Sequence, residues 1–144
     1  MPRVTEAQIE AARRRTFESA ASFNAAVRDF ADSTGDVYLV PLHKKLHLQG
    51  LRLIVQKTPV DKGRARGEWQ STRESEPNEE IGFIRSPEEV LQEGLITMAG
   101  LSPYSVSYIA NLLPYPEALE AGSSDQAPRG MVSLSVTELE TQFR

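Results

Sequence analysis

Three features of the sequence predict an α+β fold. Apolar residues recur at helical spacing through the first third of the chain, a Ser-Pro-Glu-Glu helix start stands at 86–89, and the stretches 64–74 and 104–112 read as extended. The expected architecture is a small antiparallel β-sheet, built from those two stretches, packed against three to four helices with a long N-terminal helix. Its 144 residues fit a single domain, with a helical N-terminal part at 1–57 and the rest at 58–144.

The elements follow in order. Thr5 caps a helix over 5–32, with Gln8 completing a capping box, and Ile9, Ala12, Phe17, Ala20, Phe23, Val27 and Phe30 form its apolar stripe. Asp32-Ser33-Thr34-Gly35-Asp36 reads as its stop. A second helix starts near Val37 or Pro41 and runs to Gln56, with Leu42, Leu46, Leu51, Leu53, Ile54 and Val55 on its apolar face and Gly50 as its weak point. Thr58-Pro59 ends it, because the residue before a proline is pushed out of the α region. Asp61-Lys62-Gly63 turns the chain into the extended segment, whose one large anchor is Trp69. Residues 75–78 form a loop, and Ile81-Gly82-Phe83-Ile84 is a short strand or an inward-packing loop.

The helix opened by Ser86 carries Val90, Leu91, Leu95, Ile96 and Met98 and ends near Gly100. Residues 105–112 read as a buried strand, broken by Pro114-Tyr115-Pro116. One helical turn at 117–120 stops at Gly122. A polar loop at 123–130 leads to a closing helix at 131–143, with Met131, Leu134, Leu139 and Phe143 as core contacts.

Composition narrows the chemistry. Apolar residues make up 40% and charged residues 25%, with 16 Lys and Arg against 20 Asp and Glu, a net charge of −4. That balance is globular and argues against a dedicated nucleic-acid binder. No apolar run reaches the length of a membrane span, and the N-terminus has no signal core. The absence of Cys excludes disulfides, thiolate metal sites and Cys nucleophiles. Charge divides along the chain, +4 over residues 1–75 and −8 over 76–144. This split fits either two solvated surfaces or a subunit that meets its copies head to tail.

His43 and His47 share a helix face at a spacing that zinc sites use, but Lys44 and Lys45 oppose a cation and no Glu base intervenes, so both are read as surface or interface histidines. Gly63 and Gly67 lack the Lys-Ser/Thr pair of a phosphate cradle. Ser123 and Ser124 have no nearby His, and Glu79-Glu80 and Glu88-Glu89 are adjacent solvated pairs. The expectation is a non-enzyme with no catalytic residue, cofactor or metal.

Two stretches are more specific than their composition. Thr58-Pro59-Val60-Asp61-Lys62-Gly63-Arg64-Ala65-Arg66-Gly67-Glu68-Trp69 closely resembles the T-P-V-D-T-G-R-x-R-x-x-W signature of the neck and tail-completion proteins of tailed bacteriophages. Residues 109–132 resemble the same family's N-x-x-P-Y-A-x-x-L-E-x-G-x-S-x-Q-A-P-x-G-M-V stretch through Asn111, Pro114, Tyr115, Leu119, Glu120, Gly122, Ser124, Gln126, Ala127, Pro128, Gly130, Met131 and Val132. Lys62 stands for the usual Thr and Pro116 for the usual Ala. With the helix between them, the two matches cover residues 50–143.

The motifs also have a physical reading of their own. Pro59 sets a turn in which Asp61 accepts backbone N–H bonds and Gly63 supplies a positive φ. Arg64 and Arg66 then point to one face of the strand, toward acidic residues of a neighbour. Tyr115 and Leu119 anchor the short helix, Gly122 ends it left-handed, and Gln126, Pro128 and Gly130 shape a stiff loop. These residues shape loops, form contacts between subunits, or do both.

The resemblance implies a structural virion protein of the phage neck that joins the head connector to the tail. It implies a homo-oligomeric ring, most plausibly a hexamer, around the DNA channel. Its partners would be copies of itself, a connector or stopper, the tail terminator and the tail tube, with DNA only passing through and no membrane. The location implied is the virion neck or tail, with the host cytoplasm during assembly. The alternatives are a tail terminator that caps the tube or, less favoured, a stopper or adaptor. A channel that releases DNA should be acidic or neutral, with Glu79-Glu80 and Glu88-Glu89 as candidates.

Overall fold

A computed structural model describes Glu6, Ala7 and residues 20–144. The expected cap at Thr5 and Gln8, and the stripe positions Ile9, Ala12 and Phe17, lie outside the described residues. The elements in order are α1 (Ala20–Thr34), a π-helical turn (Gly35–Leu39), α2 (Val40–Lys57), α3 (Arg64–Gly67), β1 (Gln70–Arg73), α4 (Pro87–Ala99), β2 (Ser107–Ala110), α5 (Pro116–Glu120) and α6 (Val132–Gln142). The α+β expectation holds: one two-stranded antiparallel sheet pairs Gln70 with Ala110 and Arg73 with Ser107, and helices pack around it.

The expected stop at 32–36 does not form. Helical geometry continues through Thr34 and Leu39, and the Val40 N–H donates to the Gly35 carbonyl across the π turn. Gly35 serves a close approach instead of a cap. A Cβ there would stand 2.5 Å from the Pro103 Cβ, and Tyr104 Oη donates to the Ala31 carbonyl at 2.8 Å.

α2 ends as the sequence predicts. Thr58 is extended (φ −69°, ψ 126°), and both its N–H and its Oγ1 donate to the Ile54 carbonyl. Leu51, Ile54 and Val55 of α2 form the core with Trp69, Val90 and Met131, and Leu91, Ile109, Leu119 and Val132 close around it. Gly50, expected as a weakness, lets α6 approach: a Cβ there would meet Leu139 Cδ1 at 3.2 Å. α4 has the expected cap, with the Ser86 N–H donating to Glu89 Oε2 and the Glu89 N–H to Ser86 Oγ.

Several expectations need correction. The extended segment is shorter than 64–74: Arg64–Gly67 is a helical turn, because Gly63 launches it and the Gly67 N–H returns to the Gly63 carbonyl at 2.9 Å. The 81–84 segment is loop, and Phe83 and Ile84 point outward. β2 is half-buried along its length, since among the described residues the sheet has only two strands. Leu42, Leu95 and Ile96 are exposed instead of packed in the core, as is the stripe on α1, where Val27 is 48% and Phe30 72% accessible. α1 runs straight on into the π turn, and Phe23, Val27 and Phe30, the stripe positions whose burial is described, are 48–72% accessible. Among the described residues, no helix is long and apolar enough to cross a membrane.

Candidate interface site

The two motif stretches, separated by some forty residues of sequence, meet in space. The Gln126 amide clasps the backbone of Val60, accepting from its N–H at 2.9 Å and donating to its carbonyl at 3.0 Å. Asn111 Nδ2 donates to the Ala65 carbonyl at 2.8 Å, while its Oδ1 accepts from the Leu113 N–H. Trp69 Nε1 donates to Thr58 Oγ1 at 2.8 Å inside the core. Pro59, Val60, Asp61, Gly63 and Arg64 from the first motif and Tyr115, Leu119, Ser124 and Gln126 from the second line one pocket of about 270 Å³. Pro128, Gly130 and Arg66 border a second pocket, and Met131 is fully buried in the core. Pro114 is exposed where the chain leaves β2.

Gly63 has φ 81° and Gly122 φ 87°, as the turn and helix stop require. At Gly122 a Cβ would also strike the Pro128 carbonyl oxygen at 2.5 Å, so the end of α5 and the loop after it fit only around glycine. Asp61 does not cap its turn: it is exposed, and no hydrogen bond of its side chain occurs among the described residues. Asp61→Ala is therefore expected to change stability by less than about 0.5 kcal/mol, as at an ordinary surface site. Gly63→Val forces a β-branched residue to positive φ and should cost roughly 1–3 kcal/mol. Paired thermal melts check both, and equal melting of the two variants contradicts this geometry.

The two motif arginines do not share a face. With residues 64–67 helical, Arg66 turns back and donates from Nε and Nη2 to the Thr58 carbonyl at 3.2 and 2.8 Å, capping the end of α2. Arg64 Nη2 pairs with Glu80 at 3.0 Å. The same guanidinium stands 3.8 Å from Glu68 Oε2, too far to bond it, so that buried oxygen has no hydrogen-bond partner. Glu68 Oε1 accepts from the Ile81 N–H and from Gln70. Of the acidic pairs, Glu80 and Glu89 are thus engaged within the chain.

Arg85 is the centre the sequence did not flag. Its side chain is buried and donates to the carbonyls of Gly67 and Trp69, each at 2.9 Å, while Nη1 pairs with Glu93. Burial lowers its pKa, opposed by the nearby Glu68 and Glu89 carboxylates. One fork of donors therefore joins α3, the residue that leads into β1, and α4.

Glu120 holds the start of α6. Its carboxylate accepts from the N–H groups of Met131, Val132 and Ser133 and from Ser133 Oγ, at 2.5–2.9 Å. Burial raises its pKa, but these donors outweigh it and bring the value from 4.5 to about 2. Glu120→Ala should cost about 1–2 kcal/mol, the worth of a strong N-cap. A urea titration at neutral pH reads it, and an unchanged midpoint would deny the cap.

The two histidines also stand differently from expectation. His47 is buried, with Nδ1 2.8 Å from Ser107 Oγ and Nε2 2.9 Å from Ser71 Oγ, so it ties α2 to both strands. His43 Nε2 reaches the same Ser107 Oγ at 2.7 Å. Burial, then the neighbouring His43, lowers the His47 pKa from 6.5 to about 4. Above about pH 6.5 His47 is neutral in both states and adds no pH dependence. Below it the unfolded chain binds a proton that the folded chain refuses, so stability falls until about pH 4, by up to ~3 kcal/mol. Melts between about pH 7 and pH 4 should show this loss, and His47→Gln should remove it. Among the described residues no three His, Asp or Glu side chains gather as a metal would need.

Arg85, Glu93, Ser71 and Ser107 were missed because their roles depend on distant partners. A detectable signal was the paired histidines, whose polar atoms need hydroxyl partners once one of them is buried. The chain matches no protein-family model, and no curated protein or solved structure matches it.

Proposed function

We propose that this chain is a structural subunit of the tailed-phage neck, joining the head connector to the tail as a ring of copies around the DNA channel. What carries the reading is that the two stretches resembling the neck family close on each other, through Gln126 on Val60 and Asn111 on Ala65. Residues that a shared function would keep together do lie together. The exposed apolar stripe of α1 adds a surface suited to another protein chain.

On this reading the protein works by stoichiometric binding rather than by catalysis. Its partners are its own copies, the connector or stopper, and the tail terminator or tube. DNA passes without being gripped, in keeping with the net charge of −4. The second reading, a tail terminator, rests on the same motifs and places the ring on the tube's end. Labelling a tagged copy on intact virions tests the proposal: label at the head–tail junction is expected, and label on the capsid, the distal tail or no virion at all contradicts it.

A further inference from the structure

The described residues carry a convex apolar feature and a concave one. On α1 and the π turn, Val27, Phe30, Val37 and Tyr38 are 48–72% accessible and recur at helical spacing along one side. Elsewhere α2, α4 and α6 frame an open groove of about 560 Å³, with Leu48, Leu91, Leu95 and Phe143 as its apolar lining and Lys45 and Arg52 on its α2 wall. An amphipathic helix laid into an apolar groove is a recurrent recognition mode, read as anchors three and four residues apart.

A chain cannot fill its own groove with its own arm. α1 runs through the π turn into α2 as one helical course, and Val27 and Leu48 lie roughly 30 Å apart along it at the helical rise. Charge favours a second copy as the occupant. Among the described residues the arm presents Asp29, Asp32 and Asp36 against Arg28, all exposed, while the groove lining carries two cations and no acid. The carboxylates sit on the flank and back of the helix, so they add attraction around the groove and not contacts in its floor.

We propose that the α1 arm of one copy, led by Val27 and Phe30, docks in the α2–α4–α6 groove of the next copy, around Leu95 and Phe143. Arm and groove are different surfaces, so the contact is head to tail and, repeated, closes a ring. The inference rests on the ring reading above and supplies its contact.

The chain has no Cys, which makes disulfide trapping unambiguous. The full chain carrying both Phe30→Cys and Leu95→Cys should give a ladder of covalent oligomers on mild oxidation. The two single-Cys variants, mixed, should give a covalent dimer, while each alone should not. In parallel, Phe30→Asp and Leu95→Asp should each abolish association by native mass spectrometry, and their mixture should give a 1:1 dimer and nothing larger, because one arm and one groove remain. Both side chains are exposed, and far-UV circular dichroism confirms the fold of each variant. A monomeric parent chain, self-crosslinking of Phe30→Cys alone, or rings from either Asp variant would overturn the arm-in-groove contact. In the last case the ring survives on another surface, so the functional reading stands while this inference falls.

Discussion

Trp69→Ala is expected to cost about 3–5 kcal/mol, the range for removing a buried aromatic. Trp69 is 5% accessible, packs with Leu51, Ile54, Val55, Val90 and Met131, and donates its indole N–H to Thr58 Oγ1. Its loss opens a cavity at the centre of the core and removes a donor from Thr58. For a chain of this length that corresponds to a melting temperature lower by roughly 10 °C or more. Trp69→Phe keeps most of the volume and loses the hydrogen bond, so it should cost only about 1–2 kcal/mol. Denaturant titrations of the two variants check the order, and equal costs would mean that the core does not close on this residue.

Arg85→Met should cost a similar amount, about 3–5 kcal/mol, for an electrostatic reason. Methionine fills the space but leaves the carbonyls of Gly67 and Trp69 without their donors and Glu93 without its partner. It also removes one of the two positive charges beside the buried Glu68, Arg64 being the other, and one oxygen of Glu68 already lacks a hydrogen bond. Arg85→Lys restores the charge without the planar fork and should recover only part of the loss. Pairing Arg85→Met with Glu68→Gln should cost less than the sum of the two single changes, since the second removes the charge that the first leaves facing Arg64 alone. Thermal melts across the four proteins read this coupling, and strict additivity would contradict it.

The parts of the fold that depend on near neighbours were legible. The helix start at Ser86, the end of α2 at Thr58-Pro59 and the positive φ at Gly63 and Gly122 are local events, each set by a few adjacent residues. The errors arose where a distant contact decided. Gly35 reads as a stop until Pro103 packs on it, and Arg64-Ala65-Arg66 reads as strand until Arg66 finds the end of α2 and Asn111 holds Ala65. The stripe on α1 has helical periodicity in the sequence, but periodicity does not say whose surface it faces. The candidate residues were legible as two separate motifs. Their meeting was not, because the amide of Gln126 carries no sequence mark of its partner at Val60.

That meeting also bears on how a joint could be built. The motif loops are braced by hydrogen bonds from outside themselves, so their exposed members, Val60, Asp61, Tyr115 and Arg129 among them, sit on a stiffened base. A rigid loop loses little conformational entropy on binding, which favours a contact that must form the same way in every copy of a ring.

The proposed neck role is tested most directly by electron microscopy of lysates of the tailed phage proposed to carry this gene, with and without it. Loss of a neck subunit should give DNA-filled heads and separate tails in the deletion, with capsid assembly unaffected and joining restored when the protein is supplied in trans. Tails of uncontrolled length would instead favour the terminator reading. Normally joined virions in the deletion lysate would contradict the neck role.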